Sequence, residues 1–100
     1  MSGFAFKGAS GKRYEMALMY SGNPAAIPNQ GGVLILASGA ADSPAPMLIA
    51  EAHSLNAAVH EHHAEAARHG ADLIFAWFES KAEARATVAR DLRTVYGHKG

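Results

Sequence analysis

Cysteine is absent from the 100-residue chain. This absence excludes a disulfide framework and any metal site built on thiolates, and it fits a reducing compartment. Long apolar runs are also missing, since no stretch approaches the roughly 20 residues that a membrane-spanning helix needs. Residues 4–7 are too few to form the apolar core of a signal peptide. We therefore expect a soluble, cytoplasmic protein without a membrane partner.

The chain has no excess of either charge, with 9 lysines and arginines against 9 aspartates and glutamates. A strongly basic nucleic-acid-binding protein and a polybasic membrane-surface module are therefore not indicated. The hydrophobic fraction is 49%, but much of it is alanine, which predicts a small core in a single domain. A homodimer would bury additional apolar surface, so self-association is one of the partner hypotheses.

Four segments have the pattern of β-strands. Residues 13–20 alternate apolar and polar side chains, which is typical of a half-buried strand, with residues 4–7 as a short partner. Residues 33–38 and 72–79 are apolar on both faces and are predicted to be central strands. Residues 47–52 complete the set.

Two helices are predicted from their capping residues. Residues 54–69 begin at Ser54, a favourable N-cap. Residues 80–96 begin with a capping box, in which the Ser80 hydroxyl and the Glu83 carboxylate would each accept a backbone N–H.

The order of these elements predicts an α+β domain over residues 1–100. A small, mostly antiparallel sheet would have both helices covering one of its faces. A loop over residues 39–46, which contains two prolines, is predicted between the second and third strands.

Histidine is concentrated in residues 51–70, which hold five of the six histidines. His60 and His63 lie three residues apart on the predicted helix, a spacing at which two imidazoles can share a divalent metal ion. The zinc-protease signature is absent, because the position of its second histidine holds Ala64. A solvated helix face with titratable groups is the simpler interpretation, and a metal site at His60 and His63 is the alternative.

His62 differs from its neighbours, because helical spacing places it on the same face as Leu55, Val59 and Ala66. That apolar face is predicted to point toward the sheet. A histidine there is either a core residue with one satisfied ring nitrogen or a site residue that lines a cleft.

Several short segments occur in an order and spacing shared with a known nuclease family. They comprise a glycine pair that opens a strand, a second strand preceded by proline, the start of a helix, a link into a third strand, and a closing helix. They are Gly31-Gly32-Val33-Leu34, Pro46-Met47-Leu48-Ile49-Ala50, Ser54-Leu55, His69-Gly70-Ala71-Asp72, and Glu83-Ala84-Arg85 with Asp91-Leu92 and Tyr96.

Taken together, residues 31–96 resemble the GIY-YIG endonuclease domain over about two-thirds of the chain. Residues 1–30 would then be N-terminal strands and a loop added to the family core. The resemblance implies metal-dependent phosphodiester hydrolysis. Two tyrosines and an arginine would assist the attack and stabilise phosphate charge, and a glutamate would hold the divalent metal.

The positions that would carry this chemistry hold apolar residues. The two tyrosines would fall at Leu34 and Leu48, the arginine at Ala58 and the glutamate near Ala89. Only His62 matches a polar position of the family's helix. The resemblance therefore implies a non-catalytic, GIY-YIG-like domain that acts by binding a protein, itself or nucleic acid, with His62 as a remnant of the site.

Two other functions remain open. A metal-dependent nuclease or other hydrolase with a relocated site would use Glu51, His53, His60 and His62, which follow one another closely after the third strand. A small histidine-rich module would instead bind metal or respond to pH, because imidazole changes charge near neutral pH.

Basic and aromatic side chains supply the only hints of a nucleic-acid partner. Acidic residues interleave the arginines of the second helix, which favours a solvated face of mixed charge over weak phosphate binding. Trp77 and Phe78 are interpreted as core residues rather than as a base-stacking platform, although one of them would suit an interface. The basic side chains are Lys7, Lys12 and Arg13 near the start and Arg85, Arg90 and Arg93 on the second helix.

Overall fold

Five strands and two helices form the part of the chain that the computed structural model describes, residues 3–19, 27–71 and 73–96. The α+β class is confirmed. Residues 20 and 72, at the ends of two predicted strands, lie outside these ranges. The elements are β1 Gly3–Lys7, β2 Arg13–Met19, β3 Gly32–Ala40, β4 Ser43–Ala52, α1 Leu55–Arg68, β5 Leu73–Phe78 and α2 Ala82–Tyr96.

The strands form one sheet in the order β1-β2-β5-β3-β4, and every neighbouring pair is antiparallel. β3 and β5 lie inside the sheet, as their apolar character on both faces predicted. β1 and β4 are the two edge strands. None of the helices in the described ranges is long and apolar enough to cross a bilayer.

The predicted loop over residues 39–46 is wrong. β3 continues to Ala40 and β4 begins at Ser43, so the two strands form a hairpin with a two-residue turn. Pro44 and Pro46 lie within β4 and pair with β3. Prolines usually indicate a loop, but an edge strand tolerates them because a missing N–H can face solvent.

The helices lie on opposite faces of the sheet, so the prediction that both cover one face is wrong. α1 packs on the face that carries Leu34, Leu36 and Ile74, and α2 packs on the face that carries Ile35 and Phe75. We call these the α1 face and the α2 face. The reason is the apolar character of β3 on both sides, which requires cover on both.

The starts of the two helices differ in how well the sequence predicted them. The Ser54 hydroxyl accepts the N–H of Ala57 at 3.2 Å, which confirms the N-cap. α2 begins at Ala82, two residues later than predicted. Among the described contacts, Ser80 and Glu83 do not form the capping box. The Glu79 carboxylate instead accepts the N–H of Lys81 at 3.0 Å.

Candidate functional site

The positions that the family resemblance assigns to catalysis do not form one site. Leu34 and Ala58 are buried in the core on the α1 face, and Leu48 packs against the same cluster. Ala89 is fully buried in the other core, on the α2 face. The first three positions are therefore part of a continuous apolar core, and the fourth is separated from them by the sheet.

The histidines of α1 lie at the surface of the helix. His60 is exposed, and His62 and His63 are half-buried. Leu55, Val59 and Ala66, predicted to share the inward face with His62, are buried. No group of three histidine, aspartate or glutamate side chains positioned for a metal ion occurs within the described residues. A site made by His60 and His63 alone stays a prediction.

The structure does not bring Glu51 together with the α1 histidines. Its carboxylate Oε1 lies 3.3 Å from Nε of Arg85, which belongs to α2. His60 and His62 belong to the helix on the opposite face of the sheet. Nε2 of His62 lies 3.9 Å from Oε1 of its neighbour Glu61. A relocated site that combines Glu51 with these histidines is therefore not assembled.

Arg85 is the one buried charged residue among those that the structure describes, with 7% of its surface exposed. Besides pairing with Glu51, its Nη1 donates to the carbonyl oxygens of Ser80, at 2.7 Å, and Glu79, at 3.3 Å. These bonds join the start of α2 to β4. Arg85 is thus a structural residue, and its charge is not free for a ligand.

Arg93 lies about two turns further along α2 than Arg85. It also contacts the edge strand β4. Its Nε and Nη2 both donate to the carbonyl oxygen of Ile49, at 3.1 and 2.9 Å. The guanidinium therefore lies over β4 while remaining half-buried at the surface. Arg93 also lines an open cleft, and part of its positive charge faces that cleft.

Asp91 of α2 is hydrogen-bonded to Ser10, in the β1–β2 turn, and to Tyr14 of β2. We call these three residues the Asp91 cluster. The Asp91 carboxylate accepts the Ser10 N–H at 2.8 Å, the Ser10 hydroxyl at 2.7 Å and the Tyr14 hydroxyl at 2.7 Å. The Ser10 hydroxyl, the Tyr14 hydroxyl and the Ser10 N–H, together with the charge of Lys12, lower the pKa of Asp91. Burial, and then the bond to Asp91, raises the pKa of Tyr14.

The Asp91 cluster brings together basic side chains that are far apart in the sequence. Lys12 and Arg90 line one open cleft of about 270 Å³, and Arg90 and Arg93 line a second of about 350 Å³. We call Lys12, Arg90 and Arg93 the cationic face. Arg90 and Thr94 each line both clefts, so the two clefts are adjacent.

The acidic neighbours of the cationic face are already bonded. Asp91 accepts three hydrogen bonds, and Glu51 is paired with Arg85. Within the described residues, neither Lys12 nor Arg90 donates a side-chain hydrogen bond to the protein. The charge of Glu51 is therefore shared with Arg85, whereas the Asp91 carboxylate keeps its negative charge beside Lys12 and Arg90.

The two aromatic residues at the end of β5 have different environments. Trp77 is half-buried and packs edge-on against Tyr14, with 6.0 Å between ring centroids. Phe78 is 40% exposed, so its interpretation as a core residue is wrong. Both faces of β5 are covered by a helix, so the exposure of Phe78 follows from its place at the strand's last position.

Protein-family models, curated proteins and solved structures were all compared with this chain, and none of them matches it.

The stability of the domain is expected to depend on pH through the Asp91 cluster. The folded-state pKa of Asp91 is lowered, so its stabilising contribution is present above the ordinary aspartate pKa of about 4 and is lost as pH falls through the lowered value. For Tyr14 the folded-state pKa is raised. Its contribution is present below the ordinary tyrosine pKa of about 10 and is lost as pH rises through the raised value.

An Asp91→Asn variant tests this expectation by urea unfolding, with the midpoint followed from neutral pH into the acid range. The variant should lose much of the acid-side slope that the native chain shows. Glu83→Gln removes an exposed carboxylate from the same helix and is the matched control. Equal acid slopes in Asp91→Asn and the native chain would show that the Asp91 cluster does not contribute.

Proposed function

We propose that this chain is a non-catalytic, GIY-YIG-like domain that binds nucleic acid through the cationic face. The observation that carries the proposal is the convergence of Lys12, Arg90 and Arg93 on two adjoining open clefts. Phosphate oxygens are the ligands that exposed lysine and arginine side chains bind most readily on a nucleic acid.

The buried apolar core beneath α1 supports the non-catalytic part of the proposal. Leucine and alanine side chains at Leu34, Leu48 and Ala58 have no group that moves a proton or stabilises a phosphate. Leu34 and Ala58 are buried in this core, and Leu48 is half-buried against it. Binding can persist on another surface because it does not require those residues.

The size of the cationic face sets the expected strength of binding. Three cations release about three counterions, so the logarithm of the affinity should fall with the logarithm of salt concentration with a slope of about −2 to −3. The net charge of the whole chain is zero. Long-range attraction is therefore weak, and binding should be seen at low ionic strength.

Replacing Arg90 with alanine is expected to weaken binding and to make the salt slope shallower by about one. Arg90 has the central position, since its side chain lines both clefts. Fluorescence anisotropy with labelled single- and double-stranded oligonucleotides, over a series of salt concentrations, measures both quantities.

Arg68→Ala is the matched control, because Arg68 is an exposed arginine on α1, the helix on the opposite face. It removes the same charge and should leave binding nearly unchanged. If the native chain does not bind at low salt, or if the two variants weaken binding equally, the cationic face is not the binding surface.

A cleavage assay tests the absence of catalysis separately. The native chain, incubated with DNA and RNA in the presence of Mg²⁺ or Mn²⁺, is expected to leave them intact. Cleavage that disappears in a His62→Ala variant would instead establish the relocated active site and reject the non-catalytic proposal.

A further inference from the structure

We infer that Phe78 is a stacking platform for an unpaired nucleobase, so that the ligand of this domain is a single-stranded nucleic acid. The inference rests on the proposed function, since it assigns the class of ligand to the same binding surface. Phe78 is 40% exposed, an unusual state for a large aromatic side chain in a small domain whose other phenylalanines are buried or half-buried.

Phe78 lies in an open cleft of about 510 Å³. Gln30, Gly31 and Ser80 line the same cleft. An amide and a hydroxyl next to an aromatic ring can donate to and accept from the edge of a base that stacks on the ring. The cleft thus offers a planar apolar surface with polar groups at its border, which suits a nucleobase.

One buried residue connects this cleft to the cationic face. Arg85 donates to the carbonyl oxygens of Glu79 and Ser80, both of which line the Phe78 cleft. Its Nε contacts Glu51, which lines the cleft of Arg90 and Arg93. Arg85 therefore lies between the backbone that borders the Phe78 cleft and the cleft of Arg90 and Arg93. Phe78 itself pairs with Gly32 and shares the α1 face, so a bound strand would pass around the end of the sheet to reach the cationic face beside α2.

The distribution of charge indicates how a strand would lie across these surfaces. Glu79, the residue after Phe78, also lines this cleft, and its negative charge disfavours a phosphate there but not an uncharged base. The phosphates would lie at the cationic face instead. Cations that follow the backbone, combined with an aromatic residue that stacks a base, are the usual elements of single-strand binding.

A double helix does not fit this arrangement as well as a single strand does. Its bases are already paired and stacked, so a duplex would reach only the cationic face and would gain nothing from Phe78. We therefore expect single-stranded oligonucleotides to bind more tightly than a duplex of the same length and composition.

The test compares Phe78→Ala and Phe78→Tyr in anisotropy titrations with single-stranded and duplex oligonucleotides. The alanine variant should lose about 5- to 100-fold in affinity for the single strand, as expected for one stacked base. Its affinity for the duplex and its salt slope should not change. The tyrosine variant keeps the ring and should retain affinity for the single strand.

Two further measurements complete the test. Val95→Ala is the matched control, since Val95 is also a large apolar residue exposed at the surface, at 48%, and its loss should leave binding unchanged. An oligonucleotide that carries 2-aminopurine should lose fluorescence on binding to the native chain, through stacking, and much less with Phe78→Ala. Circular dichroism verifies that each variant is folded.

The results of these titrations distinguish the stacking role of Phe78 from the proposed function. If Phe78→Ala binds single strands as the native chain does while Arg90→Ala does not, the stacking role is overturned and the proposed function stands. Equal losses in Phe78→Ala and Val95→Ala, or equal affinities for duplex and single strand, also overturn it. If the native chain binds neither ligand at low salt, the proposed function itself fails.

Discussion

A Gly32→Ala variant is expected to lose at least about 3 kcal/mol of stability, which is a melting temperature lower by more than about 12 °C. A Cβ atom at this position would clash with the carbonyl oxygen of Trp77 and would lie 3.0 Å from Cδ1 of Leu55. The first contact is with the backbone of β5, which cannot move aside as a side chain does. The clash would push apart the two inner strands of the sheet.

Thermal and urea unfolding, followed by circular dichroism, measure the effect. Ser38→Ala is the control, because it places alanine on the same strand without adding a Cβ atom. It should change stability by less than about 1 kcal/mol. A Gly32→Ala variant as stable as the control would mean that β3 and β5 do not approach each other as closely as the structure shows.

The second large effect is expected for Arg85→Met, which should cost about 2 to 4 kcal/mol. Methionine fills a similar volume but leaves the carbonyl oxygens of Ser80 and Glu79 without their donor. It also leaves Glu51 without its partner, although that carboxylate is 36% exposed and water stabilises it in part. The unpaired carbonyl groups therefore account for most of the loss.

Two variants separate these contributions. Glu51→Gln breaks only the ion pair and should cost less than about 1 kcal/mol, because the carboxylate is partly solvated. Arg90→Met makes the same substitution at an exposed position of the same helix and should have little effect on stability. If Glu51→Gln costs as much as Arg85→Met, the ion pair and not the carbonyl groups stabilises the start of α2.

The sequence indicated the inner strands of the sheet correctly because burial leaves a local pattern. β3 and β5 carry apolar side chains on both faces, and only a strand covered on both sides has that composition. The same composition requires helices on both faces, as the structure has them. The hairpin between β3 and β4 was not predicted, because Pro44 and Pro46 indicate a loop in most contexts. An edge strand tolerates them, but the sequence does not show that β4 is at the edge.

The candidate site was less predictable, because it depends on contacts between distant parts of the chain. Ser10 and Asp91 are 81 positions apart, and their hydrogen bonds place Lys12 beside Arg90. No local pattern reports such a pairing. The sequence therefore showed two separate basic segments and an apparent balance of charge. It did not show that Glu51 is paired with Arg85.

The strand order has a consequence for the order in which this domain can be built. In the described sheet, the hairpin of β1 and β2 joins the other strands through β5. In the sequence, β3, β4 and α1 come between that hairpin and β5. On a ribosome, that hairpin emerges early and exposes an unpaired edge until β5 has been synthesised. Closure of the sheet is therefore a non-local event, which slows folding relative to a domain built from local contacts.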